Sequence, residues 1–224
     1  MALILLPTVE LEPHHWAEPG YDARMDTPFW KEDWERSLSR WNVTPVAPGD
    51  WHVATDSLES EDALTRLLML ALKAQCVQGF HEPEDEITPD DEVSALCGGY
   101  ALFEAARGIP ALPTCCCDLG DLGAWRLAAS LGDGDGLTLA IGHGNWSARR
   151  EGAAVVITEH PEQRGFEPVT RTVSSSEELL AATHVAERAL EAFRLRLRPV
   201  LRRLVADGSR TERLSSLLVG LPVR

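Results

Sequence analysis

The sequence predicts an α+β fold with a small, mostly antiparallel sheet in the middle of the chain, packed by N-terminal helices and a C-terminal helical segment. Short apolar runs split by Gly and Pro are gathered between residues 95 and 160, whereas helical periodicity dominates both ends. The regular alternation of strands and helices that is typical of a parallel α/β fold is missing. We therefore expect one domain over residues 1–224, with 175–224 as a helical appendage packed on it.

Four short apolar runs predict the strands of the sheet. They cover 97–103, 109–112, 137–141 and 153–157. An earlier strand is expected over 2–11, bent at Pro7. The one helix predicted within the strand region lies around 122–129.

Two helices are predicted in the N-terminal part. Asp26 or Thr27 caps a helix over 28–38 with Pro at its first position, and Ser60 caps a second helix that runs to about residue 78 and stops at Gly79. An aromatic stripe recurs every three to four residues from the first of these helices onward: Trp30, Trp34, Leu38 and Trp41. It predicts a face that closes over the core, and a platform for stacking bases or sugars is the alternative.

The C-terminal part predicts a long helical region over 176–218. An apolar stripe marks its buried face: Leu190, Phe193, Leu197, Leu201 and Leu204. Pro199 is expected to kink or divide the helix. A last short helix over 211–219 serves either as a packing element or as the contact of a homodimer.

The charge distribution disfavours several classes of partner. With 35 acidic and 21 basic residues, the net charge is −14, which repels nucleic acid and anionic membranes. From residue 187 to 224, nine Arg accompany four acidic residues, so this segment carries +5 and leaves −19 for the rest. We expect the basic helices to pair with the acidic body, including the seven carboxylates at 81–92; a basic docking surface for an acidic partner is the alternative.

The cysteines and the N-terminus predict a cytoplasmic protein. Three of the five Cys are consecutive, and neighbouring Cys do not all pair in ordinary disulfide geometry, so reduced thiols are the simpler interpretation. The opening apolar run has no basic residue before it and is too short for a signal peptide or a spanning helix.

The three-Cys segment, 113–122, contains the candidate catalytic residues. Cys116 or Cys117 precedes a helix, whose N-terminus lowers a thiol pKa, and could act as a nucleophile with His143 as the base and Asp118 nearby. Adjacent Cys disfavour zinc, because structural zinc ligands are usually separated by two to four residues. No metal or other cofactor is expected.

The same segment also has a structural interpretation. Small, semi-apolar Cys side chains pack tightly where a strand turns into a helix. Asp121 is then the cap of the helix that contains Trp125, and that indole covers the neighbouring strand.

The central segment resembles a group of small uncharacterised bacterial proteins with a GGxALL strand, a PxCCxDLxDLxxW turn and an IGHP segment. The resemblance covers about residues 96–160 and rests on the following positions: Gly98-Gly99-Tyr100-Ala101-Leu102, Pro113-Thr114-Cys115-Cys116, Asp118-Leu119-Gly120-Asp121-Leu122, Trp125 and Ile141-Gly142-His143-Gly144. It implies a compact β-turn-helix-β unit. Related short domains look like adaptor and immunity proteins encoded near bacterial toxins or defence genes. This chain has Gly144 where the group often has Pro.

Two functions are therefore expected from the sequence. The first is a non-enzymatic interaction, adaptor or immunity-type protein that binds a basic protein, and not nucleic acid or membranes, with a binding surface formed by Asp121, Trp125, Asn145 and Trp146. The second is a small hydrolase or thiol-dependent enzyme whose site is the Cys115–Asp118 turn with His143. Phosphate-binding Gly loops and the H-E-x-x-H and G-x-S-x-G motifs are not found in the sequence.

Overall fold

The computed structural model describes residues 3–11, 13–16, 30–80, 86–104, 108–113, 117–139, 145–160 and 167–223. The chain divides into two compact units, and each takes two segments of the chain. The first unit consists of Met1–Thr8 and Cys97–Leu190, and the second of Val9–Leu96 and Glu191–Arg224. The helical tail is shared between the units, and the expectation of a single domain with a tail appendage stays a prediction.

The first sheet contains four strands in the order β2-β1-β3-β4. They are β1 (Leu3–Glu10), β2 (His52–Ala54), β3 (Gly98–Glu104) and β4 (Gly108–Ala111). Strands β3 and β4 pair in the antiparallel direction, with Leu102 opposite Ala111. Pro7 lies within β1, so the predicted strand continues through it.

The second sheet is an antiparallel meander in which each strand pairs with the next along the chain. Its strands are β5 (Gly136–Leu139), β6 (Asn145–Glu151), β7 (Ala154–His160) and β8 (Val169–Ser175). The predicted α+β class is confirmed, although the strands form two sheets. Strands β2, β6 and β8 were not predicted.

Six helices accompany the sheets among the described residues. They are α1 (Pro13–Trp16), α2 (Trp30–Arg40), α3 (Glu61–Ala74), α4 (Leu122–Ala129), α5 (Ser176–Val205) and α6 (Gly208–Leu217). The bounds of α4 are those that the sequence predicts. The predicted caps Asp26 and Thr27 lie outside the described residues.

Helix α3 begins as predicted but ends earlier. The side chain of Ser60 accepts from the N–H of Ala63 at 3.4 Å, as an N-cap does. The helix stops where Cys76 adopts a positive φ of 51°, and Val77 N–H donates to Leu72 O at 3.0 Å. This hydrogen bond belongs to a Schellman motif. The prediction that Gly79 ends the helix was wrong, because Cys76 takes the left-handed position that glycine usually occupies.

Helix α5 passes through Pro199 without being divided. The predicted apolar stripe is confirmed at four positions, whose side chains are fully buried: Leu190, Phe193, Leu197 and Leu201. In α6, Leu214 and the following Leu218 are also fully buried. Both side chains are therefore packed within the chain, and a homodimer through this region stays a prediction.

The aromatic stripe closes over the core of the second unit, as predicted. Trp34 is fully buried and its indole N–H donates to Asp50 O at 3.0 Å. Trp41 meets Trp16 edge to face, with ring centroids 6.3 Å apart, and the Arg66 guanidinium lies 5.2 Å from the Trp41 ring centre. The side chain of Trp30 lies outside what the structure describes.

Candidate functional site

Strand β3 holds the end of the three-Cys segment. Residues 114–116 lie outside the described part of the chain. The carbonyl of Cys117 accepts from the N–H of Gly98 at 2.9 Å, and Cys97 forms an isolated antiparallel bridge with Asp118. The side chain of Cys117 is 3% exposed. The backbone of this segment is therefore tied to the strand, and the thiol lies in the interior.

Gly99 explains why the strand can approach so closely. Its φ is +125°, a conformation that side chains with a Cβ rarely adopt. A Cβ on Gly99 would lie 3.1 Å from the Cβ atoms of both Cys117 and Pro113. Glycine is therefore required here by conformation and by packing.

A short turn of 3₁₀ helix, Leu119–Asp121, follows Cys117. Asp118 Oδ1 accepts from the N–H of Gly120 at 2.6 Å, and Asp121 Oδ2 accepts from the N–H of Asp118 at 3.1 Å. These reciprocal bonds form a capping box. Asp121 is the N-cap residue of α4, as predicted, but the prediction that its side chain accepts from that helix was wrong, because this carboxylate reaches back to Asp118.

Tyr100 closes this corner from β3. Its hydroxyl donates to Leu119 O at 2.5 Å, and the bond is buried. Burial raises the pKa of Tyr100, and the nearby carboxylates of Asp121 and Asp118 raise it further, although Arg126 opposes them. The phenol therefore stays protonated and keeps its donor. We call Gly99, Tyr100, Cys117, Asp118 and Asp121 the Cys117 corner.

Of the predicted catalytic candidates, the structure describes Cys117 and Asp118 and places them side by side. Cys116 and His143 lie outside the described residues. A thiol nucleophile has to ionise and to meet its substrate, whereas Cys117 is buried in the corner. The contacts of both described residues are structural, and their catalytic role stays a prediction.

The predicted binding residues fall at different depths. Trp125 and Trp146 are 1% and 5% exposed, so their indole rings belong to the core of the first unit. Asp121 is half-buried and engaged in the capping box. The side chain of Asn145 lies outside the described part, and a binding role for these four residues stays a prediction.

The second sheet presents a different kind of surface. Along β6, Trp146 and Ala148 are buried, so the alternate residues point to the opposite side. Antiparallel sheets are often solvated on one side. The side opposite Trp146 and Ala148 is of this kind, because its side chains are exposed or half-buried. We call it the open face; its described side chains are Thr138, Ser147, Arg149, Glu151, Ala154, Val156, Thr158, His160, Thr170, Val173 and Ser175.

One hydrogen bond on the open face joins a hydroxyl to an imidazole. Ser147 Oγ lies 2.8 Å from His160 Nε2. The pair is diagonal across β6 and β7, because Ser147 is directly opposite Thr158, and His160 is opposite Asn145. All three side chains of the group, Ser147, Thr158 and His160, are half-buried.

Comparison with protein-family models, with curated proteins and with solved structures finds no match to this chain. The resemblance of the central segment to small bacterial proteins therefore remains an expectation.

Sequence reasoning missed Ser147 and His160. The available signal was the alternation of Trp146 and Ala148 with Ser147 and Arg149, which is the period of a half-buried strand. Two adjacent arginines hide this alternation. The contact itself depends on the register between β6 and β7, which a single sequence does not reveal.

The described ranges contain no group of three or more His, Cys, Asp and Glu side chains arranged to hold a metal ion. None of the helices described is long and apolar enough to cross a membrane.

Proposed function

We propose that this protein is an interaction protein of the bacterial adaptor or immunity type, which recognises a basic protein partner through its second unit. That unit contains twenty-three acidic and fourteen basic residues, so it alone carries a net charge of −9. A surplus of this sign attracts cationic surfaces and accelerates their encounter with the protein.

The observation that carries the proposal is the engagement of the C-terminal arginines inside this unit. Arg194 pairs with Glu191 at 2.8 Å and with Glu212, and Arg198 pairs with Glu212 at 2.6 Å. The hydrogen bond to Glu191 raises the pKa of Arg194, and the contacts with Glu212 add to it. These cations of α5 are held by carboxylates of α5 and α6.

Arg196 has a different set of acceptors. It donates to the backbone oxygens of Thr55, Asp56 and Leu58 at 2.7, 3.2 and 3.3 Å. Such bonds give the backbone carbonyl groups of the short turn a charged donor. The guanidinium therefore acts as a tie between α5 and the loop before α3.

Two carboxylates of the acidic run at 81–92 pair with α6. Arg210 Nε lies 2.7 Å from Asp90 Oδ2, and Arg213 lies 3.6 Å from Asp91. The predicted pairing of basic helices with the acidic body is confirmed for these contacts. A basic docking surface is disfavoured, because six of the nine arginines that would form it already have acceptors: Arg194, Arg196, Arg198, Arg203, Arg210 and Arg213.

Carboxylates near the start of α3 remain exposed. Asp56, Glu59 and Asp62 lie within seven residues, and all three are exposed. They make no ion pair with any residue that the structure describes. The adaptor or immunity assignment itself follows from the resemblance of the central segment, and the charge only defines the partner's chemistry.

The test is capture of a basic partner from a lysate of the source organism by the immobilised full chain. We expect one basic protein to be retained at low ionic strength and released at about 1 M salt, where the Debye length is about 3 Å. The variant Asp56→Lys/Glu59→Lys should lose this protein at low salt.

The matched control is Glu151→Lys/Glu167→Lys, which makes the same change of net charge in the first unit at two exposed positions. It should retain the partner. Equal loss in both variants would mean that net charge alone controls retention, and retention of an acidic protein would overturn the proposal.

A further inference from the structure

We propose that the open face carries an acyl-transfer site in which Ser147 is the nucleophile, His160 is the general base and carboxylic esters are the substrate class. The site lies in the first unit. It goes beyond partner binding by the second unit and is independent of it.

The first requirement of such a site is a base within hydrogen-bond reach of the nucleophile. Ser147 Oγ and His160 Nε2 are 2.8 Å apart. When Nε2 is unprotonated, it accepts the hydroxyl proton of Ser147, which is the direction of proton transfer that activates the oxygen. Both side chains are half-buried, so a small ester can reach them, whereas the thiol of Cys117 is buried.

The second requirement is a donor for the negative charge that develops on the carbonyl oxygen. Thr158 is the direct cross-strand neighbour of Ser147. Directly opposed side chains have Cβ atoms about 4.5–5.5 Å apart. The Thr158 hydroxyl is therefore close enough to donate to an oxyanion formed at Ser147.

The neighbouring side chains define the acyl group. Arg149 is opposite Val156, and Val156 is opposite Val173, in one row across three strands. Val173 is 51% exposed, so this row offers an apolar surface with a cation at one end. Residues two apart on a strand are about 7 Å apart, which places the row beside Ser147. A short acyl chain with an anionic end group fits this surface.

The reaction balances without a cofactor. Ser147 Oγ attacks the ester carbonyl carbon while its proton moves to His160 Nε2. The carbon–oxygen bond to the alcohol breaks, and the alcohol leaves with the proton from Nε2. Water then attacks the acyl-Ser147 ester and gives its proton to Nε2. The carboxylic acid departs, and Ser147 Oγ recovers its proton.

The test uses 4-nitrophenyl acetate and 4-nitrophenyl hydrogen succinate with the full chain. We expect both to be hydrolysed above the buffer rate, with the anionic ester preferred, and an acetyl group to appear on the peptide that contains Ser147. His160→Gln removes the base and should lower the rate by at least about 100-fold, which is the lower end of the contribution of general acid–base catalysis. Ser147→Ala removes the nucleophile and should lower the rate by at least as much.

Two variants separate the site from general damage. Thr158→Val removes the oxyanion donor while keeping the side-chain shape, and should lower the rate about 10-fold or more. The control Ser130→Ala removes an exposed serine whose hydroxyl bonds Leu127 O, and should leave the rate unchanged. Circular dichroism of each variant checks folding.

Three outcomes would overturn the assignment: a wild-type rate equal to that of buffer, acetylation at other residues only, or full activity in folded Ser147→Ala. None of them bears on partner capture by the second unit, so the two proposals fail separately.

Discussion

The Cys117 corner and the open face are two regions of one unit that hold polar groups in opposite ways. In the corner, Tyr100 and Asp121 are tied to backbone groups, and Cys117 is buried. On the open face, Ser147 and His160 are bonded mainly to each other and remain accessible to solvent. The hydrogen bonds of Tyr100 and Asp121 to the backbone fix the local fold. In the solvent-accessible Ser147–His160 pair, a proton can be transferred between the two side chains.

This difference predicts that substitutions in the corner change stability, and that substitutions on the open face change reactivity. The largest effect is expected from Trp125→Ala in α4, the helix that directly follows the corner, because the indole is 1% exposed. Such a truncation typically costs about 3–5 kcal/mol. Urea denaturation measures the change, and Trp125→Phe should cost much less. A loss below about 1 kcal/mol for the alanine variant would break the comparison.

Gly99→Ala is expected to cost about 1–3 kcal/mol, which is typical of a residue forced into a sparsely populated backbone conformation. Contact with Cys117 and Pro113 adds to this cost. The matched control is Gly123→Ala in α4, where no atom lies within 4 Å of the new Cβ. It should stabilise by about 0.5–1 kcal/mol, because alanine is the better helix former. Equal effects of the two variants would contradict the role given to Gly99.

Tyr100→Phe removes the hydrogen bond to Leu119 O and should cost about 1 kcal/mol at neutral pH. The folded-state pKa of Tyr100 is raised, so its contribution is present below the unfolded-state pKa of 10.0 and lost as the pH rises above it. Thermal denaturation should therefore show a steeper alkaline loss for the wild type than for Tyr100→Phe. Parallel curves above pH 10 would contradict this.

Asp121→Asn tests the charge of the corner with a smaller effect. Burial raises the pKa of Asp121, and the negative charge of Asp118 raises it further. The hydrogen bond from the Asp118 N–H opposes both effects. A raised carboxyl pKa stabilises the folded state at low pH, and this stabilisation is lost as the pH rises through the folded-state pKa. The Asn variant keeps an acceptor for the Asp118 N–H, so it should be at least as stable as the wild type at pH 7. That advantage should disappear below about pH 3.8.

Ser147→Ala is expected to have the smallest effect on stability, within about 0.5 kcal/mol, because the site is partly solvated. Its effect on ester hydrolysis should be large. Measuring both in the same preparation sharpens the comparison, since an effect of several kcal/mol would place Ser147 with the structural residues of the corner.

Local signals made much of the fold predictable. Helix α4 and the Ser60 cap are predictable because short stretches of sequence contain the signals for where each helix begins or ends. Strand β3 is predictable because it is an apolar run between glycines. The end of α3 was not predictable by the glycine rule, because Cys76 adopts the left-handed conformation instead. Strand β6 was hidden by Arg149 and the arginine after it, which resemble a loop.

The two candidate sites also differ in whether local sequence or long-range pairing determines them. The Asp118–Asp121 turn is local, so its existence could be predicted, although not which backbone groups its carboxylates bind. Ser147 and His160 are thirteen positions apart, and their contact requires the pairing of two strands in one register. Such long-range pairing is decided by tertiary packing and not by local preference.

The interleaved path of the chain sets an order in time. During synthesis, Val9–Leu96 leaves the ribosome before Cys97–Leu190, but the second unit is completed only by Glu191–Arg224, which follows both segments of the first unit. Both segments of the first unit have been made when Leu190 is added. A chain cut short after Leu190 would therefore contain every segment of the first unit, while the acidic second unit would lack the arginines that tie its loops together.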